Sequence, residues 1–333
     1  MKLLHIENLS VEFPTHKGNV RVLDKISLRM NQGEVLGVVG ESGSGKSMLA
    51  LAIMGLLSPN AKLTADYLSL NGQDLMKLNL DQRRKYIAQN ASIIFQEPQT
   101  SLNPCFNIGT QLIETIELHG IRRRKKQRQR ALELLEAVGI TEPELRLKQY
   151  PHQLSGGMNQ RVMIAMAIAA EPDLLIADEP TTALDVTIQS QIIELLLELN
   201  RTRDMGLMLI THDFALLSES TQRVCVMYSG QIMENASTDN ILSSPRHPYT
   251  KALLDSIPHI GERHHMGQRL YSLKGRIPAI DHLPVGCRLG PRCPRAAKEC
   301  VKTPRLDMIK QHGLVRCHFP IPSSTQVEGE RND

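Results

Sequence analysis

The sequence predicts an α/β protein: a mostly parallel sheet, an inserted helical subdomain and a small, irregular, cysteine-rich C-terminal extension. Three observations carry that reading. Short apolar runs at 35–39, 174–177, 207–211 and 224–228 alternate with helical stretches, the pattern of a parallel sheet covered by helices. The block from about Gln96 to Gln153 is mostly helical in pattern. After Pro245 the proline content rises and periodicity fades.

Taken in order, 3–13 and 22–30 read as strands, and 35–39 as a buried strand ending in a Gly-rich turn. Residues 46–57 are apolar nearly all round, as a fully buried helix is. A brief strand follows at 93–95, then helical periodicity over 108–139 interrupted near Gly120. A second helix starts near Ser155 and runs to Ala170. The strand at 174–177 ends in two acids, and 186–199 puts Ile188, Ile192, Leu195 and Leu199 on one helical face. These elements divide the chain into a main domain, 1–256, with its helical subdomain at about 97–168, and an extension, 257–333. The polar stretch 326–333 is expected to fray.

Composition narrows the function classes. The 333 residues suit about two domains, or one large one with an extension. With 41% hydrophobic and 22% charged residues, wholesale disorder is excluded. The longest apolar run, 162–170, falls well short of the roughly 18 residues that span a bilayer. Lys2, His5 and Glu7 leave no signal-peptide core, so a cytosolic chain able to dock on a membrane protein is expected. A net charge of +4 is too mild to argue for nucleic acid. Between Gly286 and Pro320, however, eight Lys/Arg face only Glu299 and Asp307, a local +6. Seven basic residues in nine, 122–130, read as a solvated helix face, with a phospholipid or nucleic-acid contact as the alternative.

Gly40, Glu41, Ser42, Gly43, Ser44, Gly45, Lys46 and Ser47 fit G-x-x-x-x-G-K-[ST], after a predicted strand and at the start of a predicted helix. The glycines let the backbone curl so that successive N–H groups point at phosphate oxygens, and the helix N-terminus adds its positive end. Lys46 would reach the β- and γ-phosphates, and Ser47 would offer its hydroxyl to Mg²⁺. Asp178 and Glu179 end a buried strand, where they face the ligand crevice of an open sheet. Asp178 would hold Mg²⁺ through water, and Glu179 would polarise an attacking water. A pair of surface acids at a strand end is the bland alternative. Ser155, a good N-cap, and Gly156 and Gly157, which permit close approach to an anion, stand in Leu154-Ser155-Gly156-Gly157-Met158-Asn159-Gln160, 23 residues before Asp178.

Together these motifs resemble those of the ATP-binding cassette (ABC) ATPases. The resemblance implies an ABC-type P-loop ATPase core, with an N-terminal antiparallel β subdomain beside the mostly parallel sheet. It implies that Gln96 is the Q-loop residue and a Mg²⁺ contact, that Ala183-Leu184-Asp185 is the D-loop, and that His212 is the switch histidine. Met48 joins the nucleotide-binding loop. Phe13, 27 residues before Gly40, is where the family keeps an aromatic that stacks on adenine; a core residue of the first strand is the competing reading. Met158 replaces the Gln commonest at the fifth signature position, while Ser155, Gly156 and Gly157 are intact. In the family two such domains face each other head to tail. ATP held by Lys46 of one would be completed by Ser155 and Gly157 of the other, so the chain must dimerise, with itself or a paralogue. Hydrolysis would be in-line attack by water, with charge stabilised by Lys46, Mg²⁺ and His212.

Six cysteines are present, and Cys287, Cys293, Cys300 and Cys317 crowd into 31 residues. In a cytosolic chain such a cluster reads as a metal site before disulfides. The gaps of five, six and sixteen residues lack the Cys-x₂₋₄-Cys pairs of zinc sites, and familiar iron–sulfur spacings are tighter too. Four unligated thiols remain the alternative. Gly286-Cys287, Pro291-Arg292-Cys293-Pro294, Cys300 and Cys317-His318, with Arg246-His247-Pro248-Tyr249-Thr250 before them, resemble the tail of dipeptide/oligopeptide importer ATPase subunits. The likeness covers residues 3–320. It implies a [4Fe-4S] cluster on these four cysteines, structural or redox-regulatory, whose charge the basic segment would offset. It also implies import of dipeptides or short oligopeptides, at the cytoplasmic face of the inner (plasma) membrane. The implied partners are a paralogous ATPase subunit as heterodimer, two integral-membrane permease subunits and, indirectly, a periplasmic or extracellular peptide-binding protein; nucleic acid is not among them. Antimicrobial peptides, nickel complexes, glutathione and haem are alternative cargoes, and a soluble ABC ATPase of translation or DNA repair is the alternative class. Cys105 and Cys225 are expected to be ordinary small buried residues.

Overall fold

The structure, a computed structural model, describes residues 2–16, 18–96, 101–182, 184–257 and 273–322. Ala183, the expected start of the helical subdomain at 97 and the polar stretch 326–333 lie outside them.

The chain opens with two 14-residue strands, β1 (Lys2–Thr15) and β2 (Gly18–Asn31), paired antiparallel. β3 (Val35–Val39) follows and leads into α1 (Lys46–Met54). Both β4 (Lys62–Thr64) and β5 (Tyr67–Leu70) pair antiparallel with β1, and β6 (Gln73–Asp74) pairs with β5. These form the five-stranded antiparallel sheet. α1 stops at Met54, three residues before the expected end, because Gly55 turns left-handed (φ 66°) and its N–H bonds back to the helix.

α2 (Leu80–Asn90) and β7 (Ala91–Ile94) lead to the helical subdomain: α3 (Ile108–Leu118), α4 (Arg124–Ala137), the short α5 (Pro143–Arg146) and α6 (Gly156–Ala167). The break between α3 and α4 falls at Gly120, which adopts φ 97°. The basic run opens α4 and is mostly solvated; Arg128 pairs with Glu144 and Arg130 with Glu171. The chain continues through β8 (Leu174–Asp178), α7 (Val186–Arg203), β9 (Gly206–Thr211), α8 (Phe214–Ser220), β10 (Arg223–Tyr228), β11 (Gln231–Ser237), α9 (Thr238–Ser243) and α10 (Pro248–Asp255).

The second sheet has eight strands. β10, β3, β9, β8 and β7 run parallel in that order, each buried on both faces. Alternation divides their side chains between two cores. Val35 and Val39 of β3, Leu175 and Ala177 of β8, and Leu207 and Leu209 of β9 face the helical side. Leu36 and Val38, Leu174 and Ile176, and Met208 and Ile210 face α1 and the antiparallel sheet. Two-sided burial is why these strands read as unbroken apolar runs.

The described part of the extension is short turns and irregular chain apart from one hairpin. Its β12 (Asp307–Ile309) and β13 (Gly313–Val315) form a hairpin, and β13 pairs antiparallel with β11, extending the central sheet. Its basic residues explain the attachment. Arg288 donates to Asp24 Oδ2 (2.9 Å) and to the Ser229 carbonyl, Arg316 to Ile232 O (2.8 Å) and Pro304 O, and His312 meets the fully buried Glu234 at 2.6 Å. Two of the segment's eight basic residues are thus engaged in this attachment, while Arg295, Lys298, Lys302, Arg305 and Lys310 stay exposed. Cys225 is fully buried in β10, as expected, and burial pushes its thiol up to about 12. Cys105 is exposed, which corrects the expectation of a buried residue: it follows Asn103-Pro104 in a surface turn, where its N–H donates to Asn103 Oδ1.

Candidate nucleotide site

β3 delivers the chain directly into the loop Gly40 to Lys46. Gly40 has no room for a side chain: a Cβ there would lie 2.1 Å from the Met227 carbonyl oxygen and 2.8 Å from Ser44 Oγ. Gly43 and Gly45 adopt φ 78° and 102°, so the loop curls without steric cost. Lys46 is buried, and its Nζ donates to Gly40 O (2.8 Å) and Glu41 O (3.2 Å), which holds the ammonium inside the loop. Burial draws its pKa down, while Glu179 and Asp178 oppose the shift. Ser44 Oγ is buried without a hydrogen-bond partner. Met48 turns its side chain to the α1 core, leaving only its backbone for the loop.

Asp178 is buried at the end of β8. Burial holds its carboxyl above the usual range, against a hydrogen bond with Ser47 and the Lys46 charge. Its Oδ1 has no hydrogen-bond partner. A buried carboxylate with a free oxygen beside a hydroxyl suits a hard, oxygen-seeking cation, so Ser47 and Asp178 fit Mg²⁺.

Glu179 follows in a left-handed conformation (φ 49°), which is uncommon and costly outside glycine and asparagine. Its N–H donates to Ile210 O at 2.9 Å, tying it to β9. Its Oε2 accepts from Gln96 Nε2 (2.9 Å) and Thr182 Oγ1 (3.1 Å), and His212 Nδ1 stands 3.5 Å away. His212 remains largely exposed. Three segments remote from one another in sequence, ending in Gln96, Glu179–Thr182 and His212, therefore meet at one carboxylate next to the loop lysine. Such a carboxylate can accept a proton from, or orient, a water aimed at a bound phosphate.

Ser155 and Asp185 form a second, exposed group. Ser155 caps α6 by accepting from Met158 N–H, and Asp185 caps α7 by accepting from Ile188 N–H. The two helix starts touch: a Cβ on Gly156 would lie 3.5 Å from Leu184, and one on Gly157 only 2.9 Å from Ile188. Gly157 thus has a packing reason to be glycine in addition to any anion contact. Phe13 is partly buried on the antiparallel-sheet core and also lines a cavity with Ser42, Gly43, Ile277 and Pro278. The core reading thus describes one side of the ring, and the other side borders that cavity.

Three residues at the site escaped the sequence reading. Thr182 lacks a motif of its own. The Tyr249 hydroxyl accepts from the Glu41 N–H at 2.9 Å. Arg292 clasps the Glu41 carboxylate with both terminal nitrogens, at 2.7 and 3.1 Å. The available signal for the last two was their place inside the tail stretches quoted above.

Cys287, Cys293, Cys300 and Cys317 line one cavity with His247 and Pro248. Burial raises the thiols of Cys287, Cys293 and Cys317, the last to about 11, and each is raised further by its cysteine neighbours. Among the described residues, no three His, Cys, Asp or Glu converge closely enough for a single metal ion. A tetrahedral ion at about 2.3 Å per bond does not fit them.

Comparison with known proteins agrees with this geometry. Residues 23–182 match the ABC transporter family profile, and 233–300 match the profile of the oligopeptide/dipeptide transporter C-terminal region. The chain is 50% identical to the dipeptide transport ATP-binding protein DppD of Escherichia coli K12 over 322 residues, covering 96% of this chain and 98% of that protein. It is 46% identical to the oligopeptide transport ATP-binding protein AppD of Bacillus subtilis 168 (95% and 96% covered). Identity to the peptide transport system ATP-binding protein SapD of Salmonella typhimurium LT2 is 44% (96% and 98% covered). The dimeric post-hydrolysis structure of the ATP-binding cassette MJ0796, bound to ADP and Pi, superposes with a TM-score of 0.63 at 26% identity, covering 71% of this chain and 99% of that one. Half identity across almost the whole length, with both profiles matched, means that the chain belongs to the ATP-binding proteins of ABC transporters, in their oligopeptide/dipeptide group.

Proposed function

We propose that this chain is the ATP-hydrolysing subunit of a transporter that imports dipeptides or short oligopeptides. The observation that carries the hydrolytic half is the meeting of Gln96, Thr182 and His212 on Glu179 Oε2, beside a lysine buried in a phosphate-binding loop. The transport half is supported by relatives named for dipeptide and oligopeptide transport that match nearly end to end.

The residues divide the work as follows. Backbone N–H groups of the loop and the start of α1 surround the phosphates, and Lys46 neutralises their charge. Ser47, Asp178 and Gln96 would hold Mg²⁺, which when bound offsets phosphate charge as the bond to the leaving oxygen breaks. Glu179 orients a water and accepts its proton as the water oxygen bonds to the γ-phosphorus, releasing ADP. His212 supports the γ-phosphate from the end of β9. Phe13 stacks on the base. Ser155, Gly156, Gly157 and Asp185 belong to the face presented to a second cassette. The relative MJ0796 is dimeric; for this chain the second cassette would be a paralogous subunit. Phe95, beside Gln96, and Phe106 and Tyr150 of the helical subdomain are exposed large hydrophobic residues, available to the cytoplasmic loops of two permease subunits. No helix among the described residues is long and apolar enough to cross a membrane, in keeping with a peripheral subunit on the cytoplasmic face. Cys287, Cys293, Cys300 and Cys317 would ligate a [4Fe-4S] cluster, which when bound would tie four loop positions of the extension together.

The test is co-expression with the permease subunits and paralogue, reconstitution into vesicles, and measurement of ATP-driven dipeptide uptake through a peptide-binding protein. Uptake coupled to phosphate release is expected. Hydrolysis that no dipeptide or oligopeptide stimulates would overturn the cargo, and absence of any ATP hydrolysis would overturn the whole reading.

A further inference from the structure

The loop residue Glu41 is held from outside the nucleotide site, and by two elements that both lead to the cysteine cavity. Arg292 makes a two-pronged contact with the Glu41 carboxylate, its side chain only 7% exposed. The same guanidinium donates to Tyr228 Oη (3.3 Å) and lies 5.7 Å from the centroid of that ring. Tyr228 meets Tyr249 edge to face at 4.8 Å, and the Tyr249 hydroxyl accepts the Glu41 N–H. Side chain and backbone of one loop residue are therefore clamped by a closed ring of three residues. Two of the three abut the cavity wall in sequence: Arg292 precedes Cys293, and Tyr249 follows His247 and Pro248. A charge-assisted bidentate contact at a mostly buried site is among the stronger polar contacts available to a protein.

Lys46 donates to the carbonyls of Gly40 and Glu41, so the position of Glu41 sets the mouth of the loop. We infer that Arg292 and Tyr249 are positioning residues for the nucleotide loop, and that through Arg292 the C-terminal extension fixes the affinity for Mg-ATP. This deepens the proposed function and rests on it. The bland alternative is a staple that only fastens the extension to the core.

The experiment measures Mg-ATP affinity by equilibrium titration of the full chain, with thermal melting of each variant alongside. Arg292→Ala and Glu41→Gln are each expected to weaken binding about tenfold. The double variant should be no weaker than the single ones, because both remove the same contact. Arg292→Lys keeps the charge but lacks the planar fork and should fall between wild type and Arg292→Ala. Tyr249→Phe removes one acceptor and should weaken binding a few-fold; it serves as the test if Arg292→Ala does not fold. Wild-type affinity in Arg292→Ala with a lowered melting temperature, or in Tyr249→Phe, would reduce the contact to a staple and overturn the inference. Additive losses in the double variant would do the same. Failure of the wild-type chain to bind Mg-ATP would instead overturn the proposed function.

Discussion

Glu179 accepts two hydrogen bonds on one oxygen and lies near a third donor, from segments that converge only in the folded chain. Its left-handed backbone is held by the N–H bond to Ile210, so the strain serves a fixed direction of the side chain. Glu179→Gln keeps the shape and removes the proton acceptor. Phosphate release should fall at least 100-fold, about 2.7 kcal/mol of barrier, while Mg-ATP binding persists. Unchanged turnover would take the proton-accepting role away from this residue. The site is unevenly legible at this scale. Gly40 to Ser47 and the Asp178–Glu179 pair could be read because each function sits in contiguous residues whose spacing chemistry dictates. Tyr249 and Arg292 could not, because their roles arise from tertiary contacts that leave no local spacing, and Thr182, though only three residues from Glu179, shows its role only through the turn that brings its hydroxyl to that carboxylate.

Among the elements, α10 depends on an unusual cap. His247 is buried; its Nδ1 accepts the Tyr249 N–H, and its Nε2 faces Arg316 O at 3.1 Å. Those two bonds require the neutral ring with its proton on Nε2. Burial lowers His247 to about 4, against the Glu234 charge and the hydrogen bond to the Arg316 carbonyl, with the Arg316 charge assisting. A histidine depressed in the folded state contributes stability above its unfolded pKa of about 6.5, and that contribution is lost as pH falls toward 4. Urea denaturation at pH 7.5 and pH 5 should show a drop at the lower pH that is smaller in His247→Gln. An equal drop in both proteins would remove His247 as its source. The element reading succeeded where burial was two-sided, as in β3, β8 and β9. It missed α2, whose exposed polar surface gives little apolar period, and β11, whose hairpin partner β10 joins it through Ser229 and Gly230, both at positive φ.

For the molecule as a whole, the loop group and the Ser155–Asp185 group are distinct surfaces, and the fold relative MJ0796 is seen as a dimer. Hydrolysis per chain should therefore rise with protein concentration, or on adding a second cassette that completes the site, and approach background when sedimentation shows monomer only. Full turnover by a monomer would exclude the shared site. The parallel core was legible from sequence alone, whereas the way the extension rejoins that core was not: two three-residue strands carry too few side chains for a pattern, and their anchoring arginines look like any charged surface.

The pairing of β13 with β11 also orders events during synthesis. Glu234 pairs with Val315, so the flank of β11 waits for a partner made some 80 residues later. At roughly 5–20 residues per second, that edge stands bare for about 4–16 seconds on each new chain. An unpaired strand edge invites pairing with a neighbouring chain. Crowded expression should therefore favour sticking between nascent copies, and slower, cooler synthesis or early supply of the companion subunit should ease it.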